Sequence, residues 1–235
     1  MKSNIEALHK RGFATEVDVA RLKDKKIEEL FTLLWSDQPV ISTAAAQKIG
    51  DLWQEAYAPD LLERLADSPG LDTKIAICNT LAKGGIATAD KMTEYLGKFG
   101  NNQYQCPPER VSLKKSYPLP RDIIARTLGK MQPEVFPAVQ KVLVSKEEAK
   151  ISEALDAAGF LAFYHQELSQ FSNASSIYFV VEEYRENQLI LWKALQCLSA
   201  FPLEQSRKIL EKFCFCEGIL GKEARRSLGL INGRI

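Results

Sequence analysis

A six-residue pattern recurs six times along the chain and constrains its fold more than any other feature. Each copy has an apolar residue, a second apolar residue four positions later, and a closing residue that is usually Gly; the copies span 45–50, 77–82, 124–129, 154–159, 191–196 and 224–229. The closing positions lie 32, 47, 30, 37 and 33 residues apart. A near-constant period in this range is typical of stacked helical repeats. The pattern predicts an all-α solenoid of about six helical hairpins.

Each copy is expected to end the second helix of a hairpin, because Gly favours helix ends and Pro favours helix starts. The predicted helix pairs are 25–35 with 40–53, 59–66 with 72–83, 88–99 with 120–131, 133–144 with 147–164, 175–185 with 187–201, and 202–213 with 221–230. Pro69 and Gly70 are predicted to form a turn. Since no Pro/Gly/Ser-rich linker divides the chain, we expect one domain over residues 1–235, with a long inter-helix loop near 100–119.

The repeat register also predicts particular roles for the apolar and closing residues. The fifth position of four copies holds Leu81, Leu128, Leu195 and Leu228, which we expect to be buried between hairpins. Gly129 and Gly229 are expected to end their helices in the left-handed conformation, which costs Gly little.

Composition bounds the environment of the protein. The five Cys residues are an odd number scattered through apolar pattern, which favours a reducing compartment, and we expect a cytoplasmic location. The first residues lack the apolar core of a signal peptide, and no stretch approaches the roughly 20 apolar residues of a membrane-spanning helix. A net charge of +1 does not by itself predict a nucleic-acid or membrane partner.

The second helices resemble those of HEAT repeats, which tend to read Val-Arg-x-small-small-small-x-small-Leu-Gly. Lys74 and Arg121 stand where that family favours a basic residue, whereas the other four copies have no basic residue there. The resemblance covers roughly residues 25 to 230. It implies a right-handed α-α superhelix whose second helices line the concave side and which is a scaffold for protein partners. Armadillo and phycobilin-lyase-like repeats are related alternatives.

The third residue before each closing position is polar in all six copies. At about 100° per residue it lies roughly opposite the two apolar positions of the pattern, so it is predicted to face outward. A row across the concave face is therefore one hypothesis for a partner-binding site, and solvation of an outer face is the other. The row consists of Gln47, Asn79, Arg126, Asp156, Lys193 and Arg226, joined by Lys130 just past a helix end. Reversing the charges of Arg126 and Arg226 is expected to weaken partner capture while sparing the melting temperature.

The longest spacing contains a stretch without helical period, from Gly100 to Leu119. Long irregular loops inside a domain are uncommon and are often functional. This one mixes aromatic and basic side chains, as a peptide or nucleic-acid contact loop does, although a plain insertion explains it equally well. The candidate contact residues are Tyr104, Arg110, Lys114, Lys115 and Tyr117.

Residues for catalysis or metal binding are scarce in this sequence. The two His residues, His9 and His165, stand far apart, and Cys214 and Cys216 have a C-x-C spacing that is more typical of a helix edge than of a metal site. We therefore expect no catalytic residue, metal or cofactor, and we favour a non-catalytic scaffold with a protein partner, although enzymatic activity stays open.

Two alternatives come from related repeat families. A likeness to alkylpurine DNA glycosylases would imply DNA binding through Asp156 and Trp192 with the cations Arg126, Lys130, Lys193 and Arg226. A likeness to phycobilin lyases would imply a module that assists a modifying enzyme.

Overall fold

The computed structural model describes residues 5–67 and 70–233, and these contain fourteen α-helices and no strand. This confirms the all-α prediction. The predicted turn at Pro69 lies outside the described residues. The chain divides into two compact units, residues 1–91 and 92–235, with the boundary inside α7 (Ile86–Thr93). The single-domain organisation stays a prediction.

The first unit contains two of the predicted hairpins. They are preceded by α1 (Ile5–Lys10) and α2 (Glu16–Ala20), and they consist of α3 (Ile27–Leu34) with α4 (Pro39–Asp51) and α5 (Ala58–Asp67) with α6 (Leu71–Leu81). The second helices α4 and α6 pack side by side, since α4 presents a run of small buried residues. The close approach allows polar side chains to reach the neighbouring backbone: Thr80 Oγ1 donates to the Ala46 carbonyl at 2.8 Å, and Lys83 Nζ to that of Gly50 at 2.6 Å.

The second unit contains three further hairpins and carries the candidate site. Its helices are α8 (Ile123–Leu128), α9 (Phe136–Leu143), α10 (Glu148–Tyr164), α11 (Phe171–Glu183), α12 (Gln188–Leu198), α13 (Glu204–Phe213) and α14 (Gly218–Asn232). The hairpins are α9 with α10, α11 with α12 and α13 with α14, and the second helices α8, α10, α12 and α14 pack in succession. Both α10 and α12 are buried on nearly all sides, which a two-layer arrangement of hairpins does not by itself produce.

The predicted burial of the repeated Leu is confirmed at three of four positions. Leu81, Leu128 and Leu195 are all fully buried. Leu228 is only partly buried, so the prediction is wrong there.

The predicted left-handed glycine caps are wrong. Gly129 ends α8 with a right-handed φ of −62°, and Gly229 lies inside α14. Among the described residues, positive φ values occur at Gly12, Gly97, Gly100 and Gly218 only. The helices therefore end without the conformation that would demand Gly at the closing positions.

We expect Gly229→Ala to stabilise the protein by about 0.5 to 1 kcal/mol, because Ala loses less conformational freedom than Gly in a helix interior. A Cβ at this position meets no atom within 4 Å. Urea denaturation measures the change. Gly159→Ala is the matched comparison and should destabilise, because its Cβ would overlap the Tyr117 hydroxyl. Destabilisation by Gly229→Ala would show that this end of α14 is packed differently.

Candidate functional site

The loop from Gly100 to Leu119 packs against the second helices of the second unit. At its start, Gln103 Nε2 donates to Asp122 Oδ2 at 2.9 Å, and Asp122 also caps α8 through the Ala125 N–H. The Tyr104 ring then lies edge-on to Trp192 of α12, with 5.1 Å between ring centroids. The Arg121 guanidinium stacks 3.8 Å from the Tyr104 ring. These contacts attach the beginning of the loop to α8 and α12.

The side chain of Arg226 in α14 binds main-chain carbonyls in the middle of the loop. Its Nε donates to the Ser112 carbonyl at 2.8 Å, and one terminal nitrogen lies 3.4 Å and 3.3 Å from the carbonyls of Lys114 and Ser116. The three carbonyls belong to alternate residues, so this part of the loop presents one edge of its main chain to the guanidinium. The other terminal nitrogen pairs with Glu223 at 2.8 Å. One guanidinium thus connects a buried carboxylate to the loop backbone.

Tyr117 attaches the end of the loop to α10. Its side chain is buried, and its hydroxyl occupies the space where a Cβ of residue 159 would lie. The rings of Phe160 and Phe163 lie 6.4 Å and 5.8 Å from the Tyr117 ring. Burial raises the pKa of the Tyr117 hydroxyl well above its ordinary value, so the group is neutral. Because the closing residue Gly159 has no side chain, it leaves room for the Tyr117 hydroxyl against α10.

A buried ionic cluster lies on the helix faces that meet the loop. Lys193 Nζ of α12 is 2.8 Å from Glu153 Oε1 and 2.9 Å from Asp156 Oδ2 of α10, and all three side chains are at most 7% exposed. Burial raises the pKa of both carboxyl groups. Lys193 opposes this effect only in part, because its one ammonium group is shared between two acids. Burial alone would lower the pKa of Lys193, but the two carboxylates raise it above its ordinary value. Lys193 is therefore charged.

The structure corrects the predicted outward row. Gln47 and Asn79 of the first unit are exposed, and so is Lys130 in the second. Asp156 and Lys193 are 5% and 1% exposed, so the prediction that they face outward is wrong. Lys193 is enclosed between α12 and α10, where it pairs with Glu153 and Asp156, and Asp156 lies beside loop residues such as Tyr104 and Arg110.

The two arginines of the row are also engaged within the chain. Arg126 Nε donates to the Pro120 carbonyl at 2.9 Å, and the Arg226 side chain is 8% exposed. The expectation that reversing both charges spares the melting temperature is inconsistent with these contacts. In the second unit the row is mainly a set of internal attachments.

The predicted contact residues of the loop divide into two groups. Tyr104 and Tyr117 point inward as attachments, whereas Arg110, Lys114 and Lys115 are exposed. Leu113, which the sequence analysis did not single out, is 97% exposed between them. The loop therefore combines a fixed backbone with outward apolar and basic side chains.

Buried polar atoms without a hydrogen-bond partner concentrate in this region. Among the described residues there are six such atoms, and four of them belong to the loop or to the faces it covers: Glu153 Oε2, Glu223 Oε2, Trp192 Nε1 and the Tyr117 hydroxyl. Trp192 Nε1 lies near Glu223, and the Tyr117 hydroxyl near Gln196, without hydrogen-bonding geometry. Leaving a buried polar group unsatisfied costs about 1 to 3 kcal/mol, so their concentration marks a candidate functional site.

One cleft of about 360 Å³ lies between loop residues 112–115 and α14. Two others lie beside α10 and α12. The larger, of about 680 Å³, lies between loop residues 97–105 and the first turns of α10 and α12. The smaller, of about 160 Å³, lies beneath the loop and is lined by Tyr104, Asp156 and Trp192 among others. The larger cleft is lined by Ser152 and Glu153, and the Ser152 hydroxyl donates to Glu153 Oε1 at 3.2 Å. Cys197, buried nearby, has a thiol pKa raised by burial.

Neither a cluster of metal-ligating residues nor a membrane-spanning helix occurs in the part of the chain that is described. No group of three or more His, Cys, Asp or Glu is placed to hold a metal ion there. None of its helices combines the length and apolarity needed to cross a membrane. The cytoplasmic location stays a prediction.

Comparison with known proteins reveals similar helical-repeat structures. They include an archaeal HEAT-like repeats protein from Thermococcus onnurineus NA1, with 13% identity and a TM-score of 0.46 over 99% of this chain and 98% of that one. Designed armadillo repeat proteins are also among the similar structures. A designed armadillo repeat protein in complex with the peptide (KR)4 shares 14% identity, with a TM-score of 0.40 over 97% of this chain and 91% of that one.

An engineered protein shares 15% identity with the chain, with a TM-score of 0.42 over 88% of this chain and 96% of that one. At such identities the likeness extends to the fold alone. No family model and no curated protein matches the sequence.

Proposed function

We propose that the protein is a non-catalytic protein-interaction module whose recognition element is the outer side of the loop at residues 110–115. The proposal is supported by one observation above all. Arg226 holds the main chain of this segment from beneath, while Leu113 is 97% exposed and its neighbours Lys114 and Lys115 are exposed as well. A side chain as apolar as Leu is presented to solvent on a backbone that is already ordered.

Ordering before binding favours association, because the entropy of fixing the loop is lost during folding and not during complex formation. Leu113 supplies apolar area at the centre of the segment, and Arg110, Lys114 and Lys115 surround it with positive charge. Charge complementarity steers encounter and selects partners. The partner that fits this surface is a protein with an apolar pocket bordered by acidic side chains.

The DNA-binding alternative receives less support from the geometry. Asp156, which that alternative requires to be accessible, is paired with Lys193 and covered by the loop. Lys193 and Arg226 are likewise engaged within the chain. Three of the residues needed for a DNA-contacting face are therefore committed to internal contacts.

The test is a triple variant, Leu113→Ser with Lys114→Glu and Lys115→Glu. We expect partner capture from the protein's own cell lysate, quantified by mass spectrometry, to fall by roughly tenfold or more, as for loss of a central apolar anchor with its charges. The melting temperature should stay the same, because the three side chains are exposed and the contacts of Arg226 with this loop are to main-chain carbonyls.

The matched control repeats the same changes elsewhere in the second unit, with Val144→Ser, Lys146→Glu and Lys222→Glu. Val144 is 55% exposed, and both lysines are exposed. This control should capture the same partners as the unmodified protein. Equal capture by the loop variant and the control would refute the loop as recognition element.

A further inference from the structure

The cleft of about 680 Å³ has a buried carboxylate in its lining, and one oxygen of this carboxylate has no hydrogen-bond partner among the described residues. Glu153 is 2% exposed, and its Oε1 accepts from Lys193 Nζ at 2.8 Å and from the Ser152 hydroxyl at 3.2 Å. Its Oε2 has no partner among the described residues. When Glu153 is ionised its carboxylate only accepts hydrogen bonds, so the partner that Oε2 then lacks is a donor. The cleft therefore lacks a donor at Glu153.

The charges around this cleft favour a positive donor over a neutral one. The charged lining residues are Lys98, Glu148 and Glu153, one cation against two acids. Behind the lining, Lys193 is shared between Glu153 and Asp156, which leaves one carboxylate without a full counter-charge. The more distant Asp122 raises the pKa of Asp156, and Arg121 lowers it. The cleft thus has a net negative field.

The remaining walls suit a ligand with polar groups beside the cation. They carry four amide side chains that can both donate and accept, namely Asn101, Gln103, Gln105 and Asn187. Two of these side chains already make hydrogen bonds within the protein. Gln103 donates to Asp122, and Asn187 donates to Glu148 and accepts from the Ile190 N–H. The cleft has a volume of about 680 Å³, which is larger than the volume of one side chain, so it also has room for the groups that flank the cation.

We propose that this cleft binds a cationic nitrogen group, a guanidinium or an ammonium, which donates to Glu153 and supplies the charge that Lys193 alone does not provide. The group can belong to an Arg or Lys of another protein or to a small amine. This site is separate from the exposed side chains of residues 110–115. The proposal of a cation site can therefore fail or hold independently of the proposal for the loop surface.

The probe is the peptide acetyl-Gly-Arg-Gly-amide, with acetyl-Gly-citrulline-Gly-amide as the uncharged isostere. Titration calorimetry on the full chain should show binding of the arginine peptide roughly tenfold tighter or more than binding of the citrulline peptide, as for a hydrogen bond between charged groups. In NMR spectra the side-chain amides of Asn101, Gln103 and Asn187 should shift on titration, while those of Gln140 and Asn173 outside the cleft should not. Agmatine, a free guanidinium, distinguishes a small amine from a peptide as the source of the cation.

The variant that decides the role of Glu153 is Glu153→Gln, which keeps the shape and removes the charge. It should lose the preference for arginine over citrulline, whereas Glu167→Gln, exposed and outside the cleft, should retain it. If Glu153→Gln does not fold, the amide shifts of the unmodified protein still decide. Equal binding of the two peptides, unshifted cleft amides, or a folded Glu153→Gln variant that keeps the preference would each overturn the proposal.

Discussion

Replacing Arg226 by Met is expected to lower the free energy of unfolding by about 3 to 5 kcal/mol, the range for removing one partner of a buried ion pair. The Glu223 side chain is 1% exposed, and burial raises the pKa of its carboxyl group even beside Arg226. Without the guanidinium, Glu223 would be left buried without its counter-charge. The carbonyls of Ser112, Lys114 and Ser116 would also lose their donor. Urea denaturation measures the first effect, and hydrogen exchange of residues 110–119 measures the second.

Arg185→Met is the matched control for this prediction. Arg185 also pairs with a Glu three residues earlier, Glu182, but these side chains are 60% and 62% exposed. Exposed pairs contribute little to stability, so the control should leave the melting temperature nearly unchanged. Similar losses in the two variants, or unaltered exchange of the loop in Arg226→Met, would contradict the role assigned to Arg226.

Replacing Lys193 by Met is expected to cost a similar amount, about 3 to 5 kcal/mol at neutral pH, because two buried carboxylates then face each other without a cation. Lys193 is the only described cation within ion-pair distance of Glu153 and Asp156. Lys208→Met removes an exposed lysine that pairs with Glu204 and should leave the melting temperature unchanged. Comparing the two variants distinguishes the effect of removing a buried counter-charge from the effect of losing any lysine.

The loss in Lys193→Met should shrink as the pH falls. The pKa values of Glu153 and Asp156 are already raised by burial in the folded protein, and without Lys193 they should rise further. A carboxyl group whose folded pKa lies above its unfolded value binds more protons when folded, so stability decreases as pH rises through the folded pKa and recovers below it. Unfolding measured from pH 7 down to about 5 should show the variant approaching the unmodified protein. A constant difference across that range would contradict the assignment to these two groups.

The sequence contained a signal for the ionic cluster that the repeat analysis did not use. Six residues before the closing position, four copies have apolar Ala44, Ala76, Ile123 and Ile190, whereas the fourth and sixth copies have Glu153 and Glu223. An acid at a core-facing repeat position requires a cation nearby. Lys193 and Arg226 are the partners, and both belong to the row at a fixed repeat position. Comparing the copies position by position would have indicated two buried ion pairs.

The repeat period and the helical faces follow from local chemistry that the sequence contains. Apolar residues at helical spacing must be buried, so the hairpins α3–α4, α5–α6, α9–α10, α11–α12 and α13–α14 were predictable to within a few residues, and so was the burial of Leu81 or Leu195. Which outward side chains remain exposed was not predictable, because exposure depends on a segment distant in the chain. Arg226 bonds to residues more than 100 positions earlier, and Tyr117 packs over Gly159. The periodicity of a helix determines only which side faces away from its own hairpin. The packing of α10 against α12 decides that Asp156 and Lys193 are buried, and the tertiary path of residues 100–119 decides that Leu113 and Lys114 face solvent.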